Sequence, residues 1–110
     1  MNHNENFEYC KRIAKELEQY IYGEITNEDG DELSIYDYMQ DVLDFEITLD
    51  SRMQYTSCRV YVTLGGPTVW VDTHTQTVEL RWGGEESRCY LDGEIIDAIN
   101  DYFEEVYNCR

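Results

Sequence analysis

The chain is short of basic residues, of proline and of long apolar runs. Its 110 residues hold 8 Lys and Arg against 24 Asp and Glu, a net charge of −16, whereas small domains ordinarily carry a magnitude of about 2 to 8. Such a charge repels nucleic acid and anionic lipid, so direct DNA or RNA binding is not expected and neither is a membrane partner. No apolar stretch approaches the roughly 18 residues that a spanning helix needs. The opening MNHNENFEYCKRIAKE has neither the basic nor the apolar region of a secretory signal. A cytoplasmic protein is therefore expected.

Chemistry-bearing patterns are equally sparse. Cys10, Cys58, Cys89 and Cys109 lie 48, 31 and 20 residues apart with no CxxC pair, so no zinc site or disulfide framework is indicated. Reduced thiols are expected, with Cys109 the one placed to form an intermolecular disulfide. His3 and His74 are the only histidines, and no Ser, Cys or carboxylate pattern around either supplies a nucleophile with its base. Gly65-Gly66-Pro67 and Gly83-Gly84 lack the lysine and helix of a phosphate loop. An EF-hand register with Gly30 at its sixth position puts Ile25 first and Tyr36 twelfth, where Asp and Glu are required. Neither an enzyme nor a cofactor or metal is expected.

What is present suffices for one domain spanning residues 1–110, since 42% of the residues are hydrophobic. Phe7, Cys10, Ile13, Ala14, Leu17, Tyr20 and Ile21 recur at helical spacing, so a helix is predicted over 5–22, with Asn4 as its cap and Gly23 as its stop. Ser34 is an N-cap for a second helix in which Asp37 takes the capping-box position and Ile35, Tyr38, Met39, Val42 and Leu43 form the stripe. From Phe45 the period becomes 2, and strands are predicted around 45–50, 58–64, 68–72 and 77–82, with a short fifth in SRCYL. Asp92 caps a last helix whose stripe is Ile95, Ile96, Ile99, Tyr102, Phe103 and Val106. The fold class is α+β: an antiparallel meander of four to five strands with three amphipathic helices, two N-terminal and one C-terminal, packed on one face.

The acids are patterned. Between Lys15 and Arg52, 36 residues carry twelve Asp or Glu and no Lys or Arg. On the second helix Asp37, Asp41 and Asp44 fall at i, i+4 and i+7, and on the last helix Asp97, Asp101, Glu104 and Glu105 fall at i, i+4, i+7 and i+8. Like charges at such spacing destabilise a helix by about 0.2–0.5 kcal/mol per pair, and no base relieves them. Asp44, Glu46 and Asp50 share one side of the following strand. Carboxylates two residues apart on a strand are separated by about 6.6 Å, comparable to two nucleotide steps of about 3.4 Å. Rows of this kind suit a groove lined with Lys and Arg, where tyrosines such as Tyr20, Tyr36 and Tyr102 add contact area.

The stretch LGGPTVWVDTHTQTVELRW (64–82), together with DAINDYFEEVYNC (97–109), resembles a group of small acidic proteins carried by phages and integrative mobile elements of Firmicutes. The resemblance implies a mobile-element origin and action in the host bacterial cell, in the manner of anti-CRISPR proteins and anti-restriction DNA mimics. The expected function is thus a non-enzymatic, nucleic-acid-mimicking inhibitor that occupies the basic groove of a host defence nuclease such as a CRISPR-Cas effector. Its partner-binding residues are Asp37, Asp41, Asp44, Glu46, Asp97, Asp101, Glu104 and Glu105, with Glu28, Asp29, Asp31 and Glu32 as a flexible supporting loop. The alternative is an accessory protein of a mobile element that dimerises or binds a protein through the sheet face bearing Arg59, Tyr61, Thr63, Trp70, Asp72, Glu79, Arg81, Arg88 and Tyr90.

Overall fold

The computed structural model describes residues 3–109. In chain order the elements are α1 (His3–Ile21), α2 (Ile35–Gln40), β1 (Asp44–Leu49), β2 (Tyr55–Thr63), β3 (Thr68–Asp72), β4 (Thr77–Trp82), β5 (Glu85–Tyr90) and α3 (Gly93–Asn108). The five strands form one antiparallel sheet in the order β1-β2-β3-β4-β5. Short turns impose that order, because a hairpin places each strand beside its predecessor. Two turns are each organised by an aspartate whose Oδ1 accepts the backbone N–H groups that follow: Asp50 takes those of Arg52 and Gln54, and Asp72 those of His74 and Thr75.

Alternate strand residues point to opposite faces, and one set is buried: Cys58 and Val60, Val69 and Val71, Val78 and Leu80. They join Cys10, Ile13 and Leu17 of α1, Ile35 and Met39 of α2, and Ile95, Ile96, Ile99 and Phe103 of α3 in a single core cluster. α1 lies against β4 and β5, α3 against β2, and α2 against both long helices. A slab of 42 × 41 × 24 Å results.

Helix ends differ from expectation at two places. α1 begins at His3, which puts Asn4 inside its first turn; its end is as predicted, with Gly23 at φ 70° and the Glu24 N–H bonded back to the Gln19 carbonyl. α2 stops at Gln40, short of the predicted stripe. The Asp41 N–H turns back to the Tyr38 carbonyl, and the Leu43 N–H is taken by Tyr61 of β2. A helix of so few residues has little strength of its own, and the sheet ladder claims its continuation.

Candidate functional site

α3 carries the longest acidic row. Its buried residues Ile95, Ile96, Ile99 and Phe103 span about 100° of the helix circumference, and Glu94, Asp97, Asp101, Glu104 and Glu105 span the opposite 100° or so, all exposed. These five carboxylates extend over about 16 Å of axis at a rise of about 1.5 Å per residue. The mean step is about 4 Å, near the phosphate repeat of about 3.4 Å along one strand of DNA. Glu94 was not among the predicted site residues, although its position three before Asp97 signals membership of the same face.

One of the loop acids, Glu32, stands beside the end of α1, which in turn contacts the start of this row. The segment Glu28, Asp29, Asp31 and Glu32, expected to be a flexible loop, is a small hairpin. Thr26 bridges Glu32, the Leu33 N–H reaches the Ile25 carbonyl, and the Asn27 side chain accepts the Asp29 and Asp31 N–H groups at 2.9 and 3.0 Å. The Glu32 carboxylate lies beside Gly23: a Cβ placed there would come within 3.0 Å of Glu32 Oε2. Next to Gly23, the Tyr22 hydroxyl donates to Glu94 Oε2 at 2.9 Å. That bond, with the Glu94 charge behind it, raises the Tyr22 pKa. Tyr22 thus ties the end of α1 to α3, with Glu32 of the hairpin beside the adjoining Gly23.

The second predicted row is not a row. Because α2 ends at Gln40, Asp37, Asp41 and Asp44 do not share a helical face: Asp41 is the C-cap and Asp44 opens β1. Asp37 is half-buried and its Oδ2 accepts the Ser34 N–H at 2.6 Å and the Ser34 hydroxyl at 3.1 Å, so it completes the capping box with Ser34, the N-cap. Asp37 and Asp41 nevertheless contribute to the negative surroundings of Tyr20, whose pKa is raised by burial first, then by Glu16, Asp41 and Asp37.

Asp44 and Glu46 face away from the helices. They pair across the ladder with Tyr61 and Arg59, and Glu46 Oε1 accepts the Tyr61 hydroxyl at 3.0 Å. Asp50 lies just past the end of β1 and organises the β1–β2 turn. The structure therefore separates the predicted acids into distinct groups: the row on α3, the acids of the hairpin, and Asp44 with Glu46 on the side of β1 opposite Phe45.

Bases are absent from α3, whereas Arg59 stands directly opposite Glu46 across the β1–β2 ladder. The four ion pairs among the described residues are Lys11–Glu8, Arg59–Asp72, Arg81–Glu86 and Arg88–Glu79, and none includes a predicted site carboxylate. Three of the four lie on the open face, where they surround Trp70. This residue was expected among exposed aromatics, but it is only 8% exposed. The guanidinium carbons of Arg59 and Arg81 lie 5.6 and 5.8 Å from its ring centroid. Tyr90, at 76% exposure, is the open aromatic of that face.

A shallow cleft of about 330 Å³ beside this network includes Cys58 and His74, a pairing the sequence did not suggest. Burial raises the Cys58 pKa, which keeps the thiol protonated and a poor nucleophile. Among the described residues no cluster of three or more His, Cys, Asp or Glu is arranged to hold a metal ion, and no helix is long and apolar enough to cross a membrane. No protein-family model, curated protein or solved structure matches the chain.

Proposed function

We propose that this protein is a non-enzymatic inhibitor that occupies the basic nucleic-acid groove of a host nuclease, a CRISPR-Cas effector being the reading that the mobile-element resemblance favours. The observation that carries the proposal is the α3 row, five exposed carboxylates along about 16 Å of helix, with no ion pair to any of them among the described residues. With all three helices layered on one face of the sheet, as their shared core supports, α3 can enter a groove without disturbing the sheet. Desolvated Arg–carboxylate pairs then fix its register through two-pronged hydrogen bonds. Association through the open sheet face finds less support, because its arginines are paired and Trp70 is covered.

The test uses amide isosteres, which keep shape and remove charge. Immobilised protein should capture a nucleic-acid-binding nuclease from host lysate, and added DNA or RNA should release it. The variant Asp97→Asn, Asp101→Asn, Glu104→Gln, Glu105→Gln should capture at least about a hundredfold less at equal concentration, since the loss of even two charge-assisted contacts at about 1.5 kcal/mol each gives that factor. Capture of the same partners by that variant, or partners indifferent to nucleic acid, would falsify the proposal. Reversing Asp37, Asp41 and Asp44 makes a poorer test, because Asp37 caps α2 and Asp44 accepts a β1 backbone N–H.

A further inference from the structure

We infer that β1 is a strand-addition site for an extended basic segment of a partner, one in which lysines or arginines alternate with apolar residues. β1 is one of the two outer strands and pairs with β2 alone. The other outer strand, β5, is packed by α1 and buries Ser87, whereas β1 buries none of its six residues. The Phe45 N–H does not enter the ladder with β2; Oδ1 of the neighbouring Asp44 accepts it at 2.8 Å. Backbone groups of alternate residues in an antiparallel strand point the same way, so Ile47 shares that outward direction. Unpaired strand edges template another strand, and β1 has no lysine or proline to blunt its edge, with its one irregularity at the far end, between Thr48 and Leu49.

The two sides of β1 define the occupant. On the helix side Phe45 touches Phe103, with 4.9 Å between ring centroids, yet stays 41% exposed. On the other side Asp44 and Glu46 are exposed. A strand laid alongside meets apolar surface and carboxylate alternately. A second copy of β1 would set Asp44 and Glu46 against acids like themselves, and directly opposed like charges destabilise a strand pair. A basic, alternating segment is complementary instead. Its carbonyl replaces Asp44 at the Phe45 N–H, which frees that carboxylate to meet an incoming base.

The inference rests on the reading that the partner is basic, but it concerns a surface other than α3, and the two can fail separately. The probe is a capped peptide of alternating Lys and Val, compared by calorimetry with an isomer carrying the same residues in two blocks. The alternating peptide should bind about tenfold more tightly and slow amide exchange at Phe45 and Ile47 by about tenfold or more, as strand addition requires. Asp44→Lys with Glu46→Lys should abolish binding, whereas Asp101→Lys with Glu105→Lys, equal in net charge, should leave it within about threefold. Equal binding of both peptides, no binding, or unchanged exchange at Phe45 and Ile47 in the bound state overturns strand addition. Because exchange is read on the unaltered chain, a variant that misfolds does not decide the matter, and none of these outcomes bears on capture by α3.

Discussion

Burial holds several ionisable side chains neutral. Tyr38 and Tyr55 have pKa values well above the ordinary phenol range because they are withdrawn from water, and the Tyr55 hydroxyl donates to Asn100 Oδ1 at 2.6 Å. Cys10 is pushed up to about 12 by burial first and then by Cys89 and Glu79, and burial also raises Cys58 and Cys89. All these groups favour their neutral form more in the fold than in the unfolded chain. Their contribution to stability is therefore complete below the ordinary values of 9.0 for the thiols and 10.0 for the phenols, and it is lost as pH climbs through the raised values. Thermal unfolding followed from neutral to strongly alkaline pH should show a Tm that is insensitive to these groups below about pH 9 and falls beyond it. A level Tm up to about pH 11 would contradict the burial of these groups. A thiol reagent at neutral pH should label Cys109, which is exposed, well before Cys10 or Cys58.

Among the elements, α3 was legible in the sequence from its cap onward and α2 only at its start, where Ser34 and Asp37 form the expected capping box, and the difference is physical. Over the 16 residues of α3 the apolar and acidic sets occupy opposite arcs, and no neighbouring element competes for the backbone. In α2 the same kind of stripe predicted a helix through Leu43, but Val42 and Leu43 also suit the approach to a strand, and pairing with Tyr61 prevailed. Periodicity reports which side chains want burial and is silent about which partner takes the backbone. The shortening of α2 dispersed one predicted acidic row, whereas the alternation of Phe45 and Ile47 with Asp44 and Glu46 already placed these two acids together on one side of β1; what it did not give was their partners there, Tyr61 and Arg59. The row on α3 also has an energetic signature. Glu104 and Glu105 stand near a helix C-terminus with no base in its last turn, where the helix dipole disfavours anions. Exchanging both for lysine should stabilise the domain by about 1–2 kcal/mol, by reversing the dipole term and pairing the new lysines with Asp101. The urea midpoint should rise while capture of the basic partner is lost. If the midpoint falls or capture persists, these glutamates are not held at α3 for binding.

At the scale of the whole molecule, the net charge of −16 acts in opposite directions on folding and on association. Three bases sit on α1 and three on the open sheet face, where the arginines are paired with acids of that face, so neither set offsets α3. Exposed like charges repel over a Debye length that shrinks from about 30 Å at 0.01 M salt to about 3 Å at 1 M. Added salt should therefore relieve self-repulsion and stabilise the fold, which is the reverse of its effect on a protein held together by surface ion pairs. The same salt screens the attraction that steers an acidic surface to a basic groove, and the association rate should drop by about one to two orders of magnitude between about 50 and 500 mM. Measured together, the urea midpoint should climb with sodium chloride over the range in which the association rate falls. The variant with neutral α3 amides separates the two effects: its midpoint should still climb, because most of the charge remains, but the salt dependence of its association should flatten. A variant that keeps the full salt dependence of association would place the steering charge elsewhere, with Asp44 and Glu46 of β1 the first residues to neutralise next.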